Sequence, residues 1–393
     1  MWVASSFLNG EQMIFLKLDT SVIDSFDAAL GRDGLRIDTS LSAVLGRLAR
    51  HSSWGAALGA LAGALLGPGA EARQAVQGNL RRKRIRLPSV FGNPVVGGIY
   101  GYVKRVQAAL LRRCLDAEIA ATDPEVVVIY NGSVFPESVL EAASRGRRRV
   151  FVEAGFFPNS LQLDPKGLNG ANSVPRNPDF YLETPEDFAA EGLPAAVNNR
   201  ASKLPEEEVS LSPGYVFVPF QVPSDMQVMA HSPWVRSMEQ FLDVVCEAAE
   251  RNPDDTFVIK EHPSFRHSVR DLRSHPRVIF ANGNVTSELV RDARAVITLN
   301  STVGIEALLM GKQVITLGEA CYNIDRLVRH AEGPAALDAA LADPDWKPEE
   351  ALRYQFLGFL WNRYLVRGSY ADLPGDFAER LAEKSRQGVG TFA

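Results

Sequence analysis

Cysteine is scarce. The three present, Cys114, Cys246 and Cys321, are far apart and form no CxxC pair. That excludes a disulfide framework and a structural zinc site, and suits a reducing compartment. No excess of basic charge marks a nucleic-acid binder, since the net charge is −5. No apolar run reaches the roughly 18 residues that span a bilayer. The nearest, WGAALGALAGALLGPG at 54–69, is stopped by Gly67-Pro68. The N-terminus, MWVASSFLNGEQMIFLKLD, lacks the basic start and continuous apolar core of a signal peptide. Neither GxxxxGK[ST] nor a helix-opening GxGxxG is found, which argues against an ATPase and an NAD enzyme. These absences point to a cytoplasmic protein with no nucleic-acid partner.

What is present is globular. Hydrophobic residues make up 46% and charged residues 23% of 393, enough for two domains. Apolar runs alternate with helical patterns, predicting α/β architecture with largely parallel sheets. Strands are expected at Met13–Lys17, Val126–Tyr130 and Arg149–Val152, with a long helical insertion over 70–123 broken around Pro88–Pro94. The Pro/Gly/Asn-rich stretch 158–178 reads as an ordered loop, and the acidic 183–212 as a linker or surface segment. Strands then recur at Tyr215–Pro219, Thr256–Lys260, Arg277–Phe280, Ala295–Leu299 and Val314–Leu317, with helices between, as in a nucleotide-binding half. The tail, 349–393, reads as helices.

Polar residues gather at the expected strand ends. Lys260 and His262 follow one strand, and both can hydrogen-bond a phosphate, though His-Pro also serves a plain turn. Gln221 and Asp225 follow another. Gln221 can read a base or sugar and Asp225 can hold a hydroxyl; the alternative is a Ser/Asp helix cap, and Ser224 can cap while Gln221 and Asp225 face the cleft. Asn300, Ser301 and Thr302 sit where a strand turns into a helix, and there they cap the helix, hold an anion, or do both. In the first half Glu153 and Asp164 are carboxylates suited to acid-base or nucleophilic work in sugar transfer; the alternative for Asp164 is to start the turn at Pro165-Lys166-Gly167. The basic runs Arg81–Arg86 and Arg145–Arg149 are either solvated faces or sites of attraction to anionic lipid or acidic saccharide.

Four segments, in order, carry a resemblance: EAGFFPNSLQLDPKGLNGANSVPRNPDFY, PFQVPSDMQVMAHSPW with its Q-x-x-x-D spacing, IKEHP, and LNSTVGIEALLMGKQVITLGEACYNIDRL, with GSY at 368–370 beyond them. Together they resemble the capsule polysaccharide biosynthesis family of Gram-negative bacteria, which includes transferases that build a β-Kdo linker on a phospholipid. The match covers most of 126–330, while 1–125 lack the family's glycine-rich start. The resemblance implies a GT-B-like fold: two Rossmann-like domains with an interdomain cleft and a helical C-terminal tail. It divides the chain into an acceptor-side domain, 1–205, a nucleotide-sugar domain, 206–345, and C-terminal helices, 346–393, packing back on the first domain.

It implies CMP-Kdo as donor substrate, with no cofactor and no metal. His262, Ser301 and Thr302, with Asn300 shaping the turn, would meet the CMP phosphate. Gln221 and Asp225 would shape the donor pocket, with Lys260 near the anionic donor. Transfer with retention would make Glu153 or Asp164 the nucleophile or its partner. Ala154 stands where two-module relatives carry Asp, which points to the single-module, lipid-priming branch. The implied partners are a lipid or lipid-linked saccharide acceptor, the inner-membrane surface, and capsule assembly or export proteins.

Overall fold

The structure, a computed structural model, describes residues 13–194, 206–264 and 268–387. The chain divides into two compact units. Among the described residues, the first comprises 13–153, 163–167 and 367–387; the second comprises 154–162, 168–194, 206–264 and 268–366. This differs from the expected boundary at 205/206. Residues 168–194 and the helix Glu350–Phe359 share the second unit's core, in which Tyr181, Phe188, Phe356 and Phe359 are buried together. Of the tail helices, Phe377–Arg386 belongs to the first unit, where Phe377 packs edge-on against Phe26 at 4.6 Å.

The strands are β1 (Phe15–Leu18), β2 (Gly34–Ile37), β3 (Val126–Tyr130), β4 (Arg149–Ala154), β5 (Ser160–Asp164), β6 (Val216–Pro219), β7 (Phe257–Lys260), β8 (Val278–Phe280), β9 (Ala295–Thr298), β10 (Gln313–Thr316), β11 (Arg329–His330) and β12 (Val366–Arg367). The first sheet runs β12-β5-β4-β3-β1-β2, and β2, β1, β3 and β4 are parallel. Its chain order reverses between β1 and β3. The second sheet runs β11-β10-β9-β6-β7-β8, all parallel. Counted within that unit, this is the dinucleotide-fold order 3-2-1-4-5-6, with its switch point between β6 and β9. Two Rossmann-like sheets are therefore present.

β5 falls inside the stretch expected to be a loop. SLQLD is buried at every position, so its polar residues show no in-out alternation for a sequence reading to detect. Gln162 is satisfied there by the Ala154 carbonyl and the Asn169 side chain. The helical insertion is made of Gly69–Arg86, Pro88–Phe91 and Pro94–Thr122, each short break set by proline. Asn93 caps the last of these through the Val95 and Val96 amides.

Candidate functional site

In parallel sheets, ligands bind beyond the carboxyl ends of strands at the switch point. In the second unit that point is flanked by Gln221, two residues past β6, and Asn300, two past β9. The two side chains are bonded to each other. Gln221 Nε2 donates to Asn300 Oδ1 at 3.0 Å, and the Asn300 amide donates to Gln221 Oε1 at 3.4 Å. Asn300 Nδ2 also donates to the carbonyls of Gln227 and His231, at 3.1 and 3.0 Å. Asn300 thus staples the segment after β6 to the end of β9. With both residues buried, each missing bond would leave a desolvated polar atom.

Asp225, rather than Ser224, caps the helix Met226–Ala230, through a 2.9 Å bond from the Gln227 amide. At the turn into helix Val303–Leu309, Ser301 Oγ accepts from the Val303 amide and the Ser301 amide donates to Thr298 Oγ1. Thr302 is exposed and makes no capping bond. The Ser301 carbonyl is held by the buried hydroxyl of Tyr322 at 2.5 Å, and burial pushes that phenol well above its ordinary pKa. A Cβ on Gly304 would lie 2.5 Å from the same hydroxyl, so this position must be glycine for Tyr322 to reach the turn.

Lys260 is buried, and its ammonium donates to the carbonyls of Asn282 and Asn284, both at 2.6 Å. Burial lowers its pKa, against the opposing charge of Glu206. Its charge is committed to the loop after β8, a different duty from the expected contact with the donor. His262 is half-buried, and its Nδ1 accepts from the Ser264 amide at 3.1 Å, so the neutral ring carries its proton on Nε2.

In the first unit, Glu153 stands next to the last residue of β4, Ala154; it is half-buried and accepts from Asn131 Nδ2 at 3.0 Å. Asp164 is fully buried. Its Oδ1 takes the amides of Lys166 and Gly167, at 2.7 and 3.0 Å, which builds the turn. Lys384 lies in its field, its pKa lowered by burial and raised by Asp164.

Three residues went unread in the sequence. Tyr322 follows no polar strand end and so carried no local signal. His231, whose Nδ1 lies 3.1 Å from Glu319 Oε2 beside the Asn300 staple, follows no strand directly and so gave no signal. Glu137 sits in the first turn of a short helix, a position where an acid is ordinary and gives no signal. It lies buried at the first sheet's switch point, accepting from Thr20 Oγ1 and the Tyr130 amide, and burial raises its pKa to about 7. Among the described residues, no group of three or more His, Cys, Asp or Glu is arranged to hold a metal ion.

The family model described as "Capsule polysaccharide biosynthesis protein" matches residues 195–346. Protein FixF of Sinorhizobium fredii is 53% identical over 384 residues, which is 97% of this chain and 95% of that protein. The chain belongs to the capsule polysaccharide biosynthesis family. Another relative is the capsule polysaccharide export protein KpsS of Escherichia coli, 24% identical across 58% of this chain and 74% of its own length. The capsule polysaccharide modification protein LipB of Neisseria meningitidis serogroup A is 35% identical across 44% of this chain and 58% of its own. Among solved structures, the β-Kdo 2,4 transferase of Thermosulfurimonas dismutans KpsC aligns at 18% identity and a TM-score of 0.43, over 60% of this chain and 79% of that one. A likeness of that degree carries no argument about chemistry. The family match takes in Gln221, Asp225, Lys260, His262 and the 300–302 turn, so the switch-point constellation lies in the matched segment.

Proposed function

We propose that this member of the capsule polysaccharide biosynthesis family is a glycosyltransferase with a GT-B arrangement, moving Kdo from CMP-Kdo to a phospholipid or lipid-linked Kdo acceptor. The observation that carries the reading is the set of polar strand ends around the β6/β9 switch point, inside the family-matched segment. The donor's cytidine phosphate is taken by Thr302, by Ser301 and by Nε2–H of His262. The Gln221–Asn300 pair and Asp225 keep the surrounding loops in place. Retention requires two displacements. The Glu153 carboxylate forms a bond to the anomeric carbon of Kdo as CMP leaves with its phosphate. The acceptor hydroxyl then displaces Glu153, giving up its proton to a base.

The test is CMP release by the purified protein with a panel of sugar nucleotides and lipid acceptors. Release only from CMP-Kdo, with a mass-detected Kdo adduct on Glu153, supports the reading. Turnover of UDP-sugars with CMP-Kdo inert would replace it by a transferase of another donor. A non-catalytic export role is the second reading, favoured by the name of the E. coli relative, a capsule polysaccharide export protein. It predicts an intact lipid linker in cells when Glu153 and Asp164 are both changed.

A further inference from the structure

The first unit carries a helical face that the proposed chemistry does not use. On helix Pro94–Thr122, Val95, Ile99, Tyr102 and Val103 are all exposed, Val95 at 66% and Ile99 at 62%. Their spacing of four, three and one puts them on one side of the helix, turned outward. Helix Trp54–Leu66 shows the same pattern. Trp54 and Leu58 are exposed four apart, Leu65 follows seven on, and Leu66 at its end is 92% exposed. The Tyr102 hydroxyl donates to the Leu65 carbonyl, which joins the two stripes side by side. Val90, on the short helix Pro88–Phe91, is a further exposed apolar side chain of this unit. So many large apolar side chains together on a water-facing surface mark an interaction site.

Charge says what meets it. Between Thr39 and Leu115 stand twelve lysines and arginines and a single acid, Glu71, in a protein whose net charge is −5. The densest run, Arg81-Arg82-Lys83-Arg84-Ile85-Arg86, ends helix Gly69–Arg86, which packs against helix Pro94–Thr122. The Arg84 guanidinium reaches to within 3.8 Å of where a Gly97 Cβ would stand, and the Lys83 ammonium lies over the Phe91 ring at 5.7 Å. Exposed apolar stripes on a helical segment so rich in lysine and arginine match the layered chemistry of a bilayer surface, acyl chains beneath anionic headgroups. A second copy of the chain would set one basic run against another, which is repulsive.

We propose that this face, formed by helices Trp54–Leu66, Pro88–Phe91 and the first half of Pro94–Thr122 with the Arg81–Arg86 run, docks on a bilayer rich in anionic phospholipid. The helices lie in the surface and do not cross it; no described helix is long and apolar enough to span a membrane. The proposal deepens the proposed function, resting on its lipid-borne acceptor for its purpose. Docking is nevertheless read without donor or acceptor.

The experiment is co-sedimentation of the full chain with phosphatidylcholine vesicles, with and without phosphatidylglycerol. Binding is expected only with the anionic lipid and should weaken as salt screens it. Arg81→Gln with Arg84→Gln should lower the partition coefficient about 25-fold, at roughly fivefold per arginine. Leu66→Ser with Ile99→Ser should lower it by about tenfold per site. All four positions are on the surface, so circular dichroism should show native helix content. Trp54 emission should shift to the blue on anionic vesicles, and Trp54→Phe should remove that shift. Equal binding to neutral vesicles, no binding to either, or indifference to these substitutions overturns the proposal. So does a wild-type dimer that Ile99→Ser dissociates, or an acidic protein that holds this face in preference to vesicles. CMP release from a detergent-dispersed acceptor would survive failure here, which separates this inference from the donor assignment.

Discussion

Replacing Asn300 by alanine removes three side-chain hydrogen bonds in one buried place: two that it donates, to the Gln227 and His231 carbonyls, and one that it accepts from Gln221. At a net contribution of about 1 kcal/mol each, the second unit should lose about 3 kcal/mol. Asn300→Asp keeps the shape but turns an acceptor oxygen toward two carbonyls, so it should destabilise at least as much. Thr302→Ala is the contrast. Thr302 is exposed and makes no cap bond, so stability should stay within about 0.5 kcal/mol of the parent. Its loss should instead weaken CMP binding by about tenfold or more, the value of a hydrogen bond to a charged group. The assays are urea denaturation by tryptophan fluorescence, with Trp234, Trp346 and Trp361 all in this unit, and calorimetric titration with CMP. A Gln221→Ala, Asn300→Ala cycle should show coupling of about 1 kcal/mol. Unchanged stability in Asn300→Ala would refute the staple; unchanged CMP affinity in Thr302→Ala would remove that hydroxyl from the phosphate site.

The two carboxylates should separate in the same way. Asp164→Ala should destabilise the first unit by about 2 kcal/mol through the lost turn bonds, read by thermal melting. Glu153→Gln should leave melting nearly unchanged and cut transfer by about a hundredfold or more. His262→Ala should lower CMP-Kdo turnover strongly with a native circular dichroism spectrum; unchanged turnover removes His262 from the site. Glu137 makes stability depend on pH. Its folded pKa, about 7, lies above the ordinary 4.5, so its contribution is full below about 4.5 and is lost as pH rises through about 7. That loss is on the order of 3 kcal/mol, and Glu137→Gln should flatten the melting-versus-pH curve across this window. Gly304→Ala should displace the Tyr322 hydroxyl and lower stability by about 2 kcal/mol, with partial recovery in Gly304→Ala, Tyr322→Phe as the denaturation readout.

Much of the second unit was legible because its signals are local. Ala295–Leu299 and Val314–Leu317 are apolar runs bounded by small polar residues; β9 lies within the first, and β10 overlaps the second, starting one residue earlier at Gln313. A Ser/Asp cap before Met226 was legible for the same reason, but Ser224 was the expected cap, with Asp225 facing the cleft, whereas Asp225 caps the helix. The unit boundaries were less legible. Residues 168–194 have little periodicity, and only the packing of Tyr181 and Phe188 against the helix Glu350–Phe359 assigns them to the second unit. Asp164 could be read from its spacing either as catalyst or as turn-former, and its burial under two amides was not visible in the chain.

Sequence alone determined where the longer apolar strands of both halves run, and that polar residues gather at their ends, because apolar runs, capping preferences and glycine conformations act within a few residues. Only the tertiary structure decided what each polar group does. Gln221 and Asn300 are 79 residues apart and meet because β6 and β9 are neighbours in a sheet whose order the chain does not spell out. Lys260 turns to the carbonyls of Asn282 and Asn284, and Tyr322 reaches back to Ser301. A buried polar atom must find its partner wherever packing brings one, and that is a property of three-dimensional neighbours rather than of position along the chain.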